Sequence, residues 1–60
     1  MKFIYKKRGL FETWKYSKGN SLFTVTKDDL FCLTVQIGES ARQFNFKTLI
    51  EASNFIEVNY

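Results

Sequence analysis

Hydrophobic and polar residues alternate along most of this chain, which is the pattern of β-strands with one buried and one wet face. The alternation is strongest over residues 30–37, where Phe31, Leu33, Val35 and Ile37 occupy every second position. The large apolar set in this segment indicates its core face. Weaker alternation predicts four further strands, over residues 2–7, 11–17, 21–26 and 41–46.

Short segments rich in glycine and polar residues separate the predicted strands. Glycine tolerates positive φ and therefore favours the tight turns of β-hairpins. Because every connection is short, consecutive strands are expected to be antiparallel neighbours in a meander. The predicted turns are residues 8–9, 18–20, 27–29 and 38–40.

The period changes after residue 46, and residues 46–52 (Phe-Lys-Thr-Leu-Ile-Glu-Ala) predict a strand that leads into a capped helix. Thr48 and Glu51 have the spacing of a capping box, in which each side chain bonds the backbone N–H of the other residue. The helix is expected over residues 49–58. The fold class predicted is therefore α+β, a four- or five-stranded antiparallel meander (about residues 2–46) with one C-terminal helix packed on one face, in a single domain over residues 1–60.

This architecture predicts a core from the inward positions of the sheet and one stripe of the helix. Glu51, Asn54 and Glu57 are expected to face water. The predicted core residues are Phe23, Val25, Phe31, Leu33, Val35, Ile37, Phe44, Phe46, Leu49, Ala52 and Ile56.

Composition narrows the class of protein. The chain is 45% hydrophobic and 18% aromatic, which argues against a disordered tail. Cys32 is the only cysteine and there is no histidine, so neither an intramolecular disulfide nor a usual zinc site is expected. No segment has the pattern of a signal peptide or a membrane span, and we expect a cytoplasmic protein with no membrane partner.

Catalytic motifs are absent from the sequence. No serine or cysteine stands beside a plausible base, and no glycine-rich phosphate loop is present. We therefore expect a protein that is not an enzyme, with no cofactor and no metal.

Positive charge is concentrated in the first half of the chain. The net charge is +3; residues 1–30 contain seven Lys or Arg and three Asp or Glu, whereas residues 31–60 contain two and three. A basic patch attracts phosphates, anionic lipid or an acidic protein, and the charge count does not distinguish these.

The face of the sheet without the helix is the candidate binding surface. By alternation it carries Thr24, Thr26, Cys32, Thr34, Gln36, Gln43 and Asn45, with Leu22 and Leu30. Polar side chains of this kind contact base edges and phosphates, and aromatic rings stack on bases. The alternative is a polar face that is simply solvated. Candidate nucleic-acid-binding residues are Lys6, Lys7, Arg8, Trp14, Lys15, Tyr16 and Lys18.

The pattern does not show which side chains of the first two strands face the core. Trp14 and Tyr16 belong either to the core or to the candidate binding surface. A core position is the commoner role of a lone tryptophan, and Lys15 and Lys18 are also typical of an edge strand protected against aggregation.

Two segments together resemble a known family. A strand containing residues 13–16 (Thr-Trp-Lys-Tyr) and the helix entry at residues 46–52 are similar to the arm-type DNA-binding domain at the N-terminus of tyrosine-family phage integrases. That family lays a three-stranded sheet in the major groove of DNA. The resemblance implies that Trp14, Lys15 and Tyr16 contact DNA. This chain departs from the family in its lower basic content and in its strongly apolar residues 30–37.

The rival hypothesis is a protein-binding module, such as a phage-encoded inhibitor or adaptor of a host protein. It is based on an apolar surplus that exceeds one small core, namely Leu10, Leu22, Leu30, Ile50 and Phe55. The same surplus would suit a homodimer formed by pairing of edge strands. A purely structural accessory protein without a ligand is a third hypothesis.

Overall fold

The computed structural model describes residues 3–8 and 11–60, with side chains at residues 3–5 and 12–60. Five strands form one antiparallel sheet in the order β1-β2-β3-β4-β5, and one helix follows them. This arrangement confirms the predicted α+β meander. The elements are β1 (Ile4–Arg8), β2 (Phe11–Lys18), β3 (Ser21–Lys27), β4 (Phe31–Ile37), β5 (Ser40–Phe46) and α1 (Leu49–Asn59).

Two-residue turns set the register at one end of the sheet. Gly19 and Gly38 each open such a turn with φ of +59°, a conformation that glycine adopts without steric cost. The turns pair Lys18 with Ser21 and Ile37 with Ser40. The predicted turn at residues 8–9 involves Gly9, which lies outside the described residues.

The helix begins where the capping residues predict. The Thr48 hydroxyl accepts a hydrogen bond from the Glu51 N–H at 3.2 Å. The reciprocal bond, from the Thr48 N–H to the Glu51 carboxylate, is not among the hydrogen bonds of the described residues, so only half of the capping box forms. At the other end, the Tyr60 N–H donates to the Ile56 carbonyl at 2.8 Å and closes the last turn.

The core lies between α1 and the middle of the sheet. Phe23 pairs with Val35 and Val25 with Leu33 across β3 and β4, so four apolar side chains stand together on one face. Small Ala52 lets the helix approach them closely. The fully or almost fully buried residues are Phe23, Val25, Leu33, Val35, Ala52 and Ile56, and all six are among the predicted core residues.

The border of the core differs from the prediction at one position. Phe31, Phe44, Phe46 and Leu49 are partly buried and pack against the core, but Ile37 is 42% exposed and the prediction that it is buried is wrong. Ile37 is the last residue of β4, where it borders an open cavity of about 350 Å³ beside Tyr60. Alternation correctly predicts that Ile37 lies on the helix side of the sheet. It does not predict whether another side chain covers it there.

Aromatic rings extend the covered surface beyond the helix. Helix α1 contacts β4 and β5, and aromatic side chains line the same side of the sheet over β1 and β2. Trp14 lies with its ring centroid 5.7 Å from that of Phe31, and Tyr16 lies 5.8 Å from Phe23. Such pairs add about 0.5–1.5 kcal/mol beyond burial of area. They cover part of the sheet that α1 does not reach.

Ile56 and Ile50 provide a matched pair in one helix. Ile56 is 2% exposed and Ile50 is 72% exposed. Ile56→Ala is expected to lower the free energy of unfolding by about 2–5 kcal/mol, because it leaves a cavity under the helix. Ile50→Ala is expected to change it by less than about 0.5 kcal/mol. Urea denaturation measures both, and equal losses would show that α1 does not pack as described.

The half-formed cap also makes a prediction. Thr48→Ala is expected to lower the free energy of unfolding by about 0.5–2 kcal/mol, because the Glu51 N–H loses its acceptor. Thr48→Ser keeps a hydroxyl at the same position and is the control. A Ser variant as unstable as the Ala variant in urea denaturation would contradict a capping role.

Candidate functional site

The strand register decides which residues share the face without the helix. Residues directly opposite each other in antiparallel strands point to the same side of the sheet. Lys15, Thr24, Thr34 and Gln43 are in register across β2 to β5, on the side opposite to the buried residues. We call this surface the open face; its described side chains are Ile4, Thr13, Lys15, Ser17, Leu22, Thr24, Thr26, Cys32, Thr34, Gln36, Ala41, Gln43 and Asn45.

The open face combines hydroxyl and amide groups with the positive charge of Lys15. Four threonines form its centre, and Gln36, Gln43 and Asn45 lie toward the β5 edge. Every Asp and Glu of the chain is among the described residues, and none lies on this face. The carboxylates belong instead to Glu12 on the helix side, Asp28 and Asp29 in the β3–β4 connection, Glu39 in the β4–β5 turn, and Glu51 and Glu57 in α1.

Trp14 and Tyr16 lie on the helix side of the sheet. Their register partners are the buried residues Val25 and Phe23. The Trp14 ring lies between Tyr5 and Phe31, with centroids 5.3 and 5.7 Å away. Trp14 and Tyr16 therefore pack on the core side of the sheet. Neither ring lies on the open face with Lys15.

A small polar cluster lies beside Trp14 on the helix side. The Tyr5 hydroxyl donates to the Glu12 carboxylate at 3.1 Å, and Lys27 Nζ lies 3.8 Å from the same carboxylate. Partial removal of the hydroxyl from water, followed by this hydrogen bond and the negative charge of Glu12, raises the pKa of Tyr5 above its ordinary value of about 10. Glu12 therefore has partners within the fold.

The two predicted basic residues of β2, Lys15 and Lys18, lie on opposite sides of the sheet. Lys18 Nζ donates to the backbone oxygen of Tyr60 at 2.9 Å and so joins the end of β2 to the end of the helix. Lys15 is exposed on the open face. Lys6, Lys7 and Arg8 belong to β1, where their backbones pair with Thr13, Glu12 and Phe11, and their side chains lie outside the described ones.

Cys32 belongs to the open face, where it is half-buried between Thr26 and Asn45. Within the part of the chain that the structure describes, no three His, Cys, Asp or Glu side chains gather as a metal site would require. The same part contains no helix of the length and apolarity needed to cross a membrane.

Thr13 and Ser17 are members of the open face that strand alternation did not predict. The signal for both was present in the sequence. A two-residue turn at Gly19-Asn20 pairs Lys18 with Ser21, and counting back along both strands places Thr13 opposite Thr26. Hairpin counting therefore fixes the face of every residue in β2.

The predicted apolar surplus is only partly exposed. Phe55 packs against Phe44 and Phe46, with ring centroids 4.6 and 5.4 Å away. Leu22, Leu30 and Ile50 are 40%, 44% and 72% exposed. Leu10 lies outside the described residues.

Comparison with protein-family models, with curated proteins and with solved structures finds no match to this chain. The resemblance to the integrase arm-type domain therefore stays a prediction.

The Tyr5–Glu12 contact predicts a pH dependence. Because the pKa of Tyr5 is raised in the folded state, the contact stabilises the fold below about pH 10, and that contribution is lost as the pH rises through the folded-state pKa. Glu12→Gln removes the negative charge and is expected to lower the pKa of Tyr5, whereas Glu51→Gln is not. NMR titration of the tyrosine rings measures this, and an unchanged Tyr5 titration in Glu12→Gln would contradict the contact.

Proposed function

We propose that this protein binds double-stranded DNA through the open face. The observation that supports the proposal most is the distribution of charge: six carboxylates are present in the chain, and all of them lie away from the open face. A surface that meets phosphates has to avoid carboxylates, because like charges repel strongly where water is excluded. A face that is polar only because water covers it could carry carboxylates as well as other polar groups.

The side chains of the open face suit both parts of a DNA interface. Threonine hydroxyls and glutamine or asparagine amides bond base edges and phosphate oxygens, and the threonine methyl group contacts the methyl group of thymine. Lys15 supplies a charge for a phosphate. Thr24, Thr26 and Thr34, on the central strands, are the proposed base contacts, with Gln43 and Asn45 beside them.

The dimensions of the sheet are compatible with the major groove. Neighbouring strands lie about 4.8 Å apart, so β2 to β4 span about 10 Å and the whole sheet about 19 Å. The major groove is about 12 Å wide. Three central strands therefore match the groove, while β1 and β5 would lie over its two phosphate walls. Strand β1 then lies over the same wall that Lys15 of β2 approaches.

Trp14 and Tyr16 have a different part in this proposal from the one that the family resemblance implies. Both rings pack on the helix side, against Phe31 and Phe23. They stabilise the sheet that presents the open face and do not touch DNA. In this proposal the polar residues of β3 and β4 contact the DNA instead.

Lys15→Glu tests the open face directly. We expect weaker binding of a labelled random duplex in fluorescence anisotropy, and a salt dependence whose slope is smaller by about 1, because one phosphate contact is lost. Lys47→Glu is the matched control, since it makes the same change of charge at an exposed residue in the connection from β5 to α1. Its binding is expected to fall less.

Two results would contradict the proposal. One is a wild-type protein that does not bind duplex DNA even at low salt. The other is an equal loss of affinity in Lys15→Glu and Lys47→Glu, which would indicate attraction by net charge without a defined surface. Lys6→Glu combined with Lys7→Glu extends the test to the basic β1 strand and is expected to weaken binding further.

A second candidate function, a protein-binding module, is supported by the outer side of α1. Ile50 and Val58 are 72% and 83% exposed and lie about two helical turns apart. A partner with an apolar surface would bury both. If duplex binding is absent, Ile50→Glu combined with Val58→Glu tests this candidate, because it should abolish capture of a protein partner and leave the fold intact.

A further inference from the structure

The sheet has two edges, and they differ in chemistry. Strands β1 and β5 are outermost, so each has one row of backbone N–H and C=O groups without a strand neighbour. The backbone hydrogen bonds described outside the sheet and the helix interior involve none of residues 40–46. The β5 row is therefore available for a further strand.

Strand β1 has the features that prevent strand addition, whereas β5 lacks them. Three of the five residues of β1 are cationic, and charged residues on an edge oppose pairing with another strand. Strand β5 has a single charge, Arg42, and no proline. Its seven residues pair with β4 without a bulge, so its outer row is regular.

We infer that two copies of this protein pair through β5, antiparallel, about a two-fold axis at Gln43. Gln43 is the middle residue of Ser40–Phe46, so this register uses all seven residues of the strand. It places Gln43 opposite Gln43 of the second copy and Arg42 opposite Phe44. A two-fold axis perpendicular to the sheet keeps both helices on one side and joins the two open faces.

The other two-fold symmetric registers of β5 with β5 are less favourable than the one centred on Gln43. Opposite residues must share a face, so the axis can only move to Arg42, Phe44 or beyond. An axis at Arg42 sets two guanidinium groups directly opposite each other, which is destabilising. An axis at Phe44 pairs only residues 42–46 and leaves the start of β5 without partners.

Side chains on both faces suit the register centred on Gln43. On the open face, two glutamine amides meet and Asn45 lies opposite Ala41, with no charge among them. On the helix side, Arg42 approaches the ring of Phe44 in the second copy, a favourable cation–π arrangement. That ring is held in place by Phe55, whose centroid is 4.6 Å away. Arg42 itself forms no ion pair with any of the described carboxylates.

Cross-linking tests the register. In a Cys32→Ser background, Gln43→Cys places two thiols opposite each other across the axis, and we expect a disulfide-linked dimer on mild oxidation. Gln36→Cys in the same background is the matched control, because Gln36 is an exposed glutamine on the same face but in the inner strand β4. It is expected to remain largely monomeric on a non-reducing gel.

Sedimentation equilibrium tests the association itself. We expect the wild-type protein to form dimers at high micromolar concentration and Gln43→Lys to be monomeric, since two cations then face each other. Gln36→Lys should dimerise like the wild type. A wild-type monomer, a Gln43→Lys dimer, or equal cross-linking of both cysteine variants would overturn the inference. No DNA is present in these experiments, so their outcome is independent of the proposed function.

Discussion

The pairing of β3 with β4 is the interaction on which the rest of this structure depends. It brings Phe23, Val25, Leu33 and Val35 together on one face, where α1 buries them. Side chains alternate along a strand, so a shift of one residue in this pairing would send all four to the opposite face. The same register that forms the core therefore also composes the open face. The register of β3 with β4 therefore determines both the core and the candidate binding surface.

The helix of this protein is too small to cover the whole sheet. One helix of 11 residues covers only part of a five-stranded sheet, and aromatic rings cover much of the remainder. Trp14 and Tyr16 are large enough to shield the backbone of β1 and β2, which α1 does not cover. This requirement explains why Trp14 and Tyr16 lie on the helix side and not on the open face.

Charge follows the same division of faces. The carboxylates have positions where the fold uses or solvates them: Glu12 accepts from Tyr5, and the other five lie in turns or on the helix. Lys18 likewise takes part in the fold through Tyr60. Net charge therefore says little about this protein, because several charges have intramolecular partners. The charge of Lys15 and the absence of Asp and Glu from the described open face are more informative.

The sequence by itself determined the order of elements, the inward residues of β3 and β4, and the start of the helix at Thr48. These features are local: alternation, glycine in turns and a capping hydroxyl act over a few neighbouring residues. Most of the open face was also predictable, and counting through the Gly19-Asn20 turn would have completed it. The tertiary structure alone decided that Ile37 stays exposed, that α1 lies over β4 and β5, and that Lys18 reaches Tyr60. Those outcomes depend on where a helix settles on a sheet, and that position results from the packing of residues far apart in the chain.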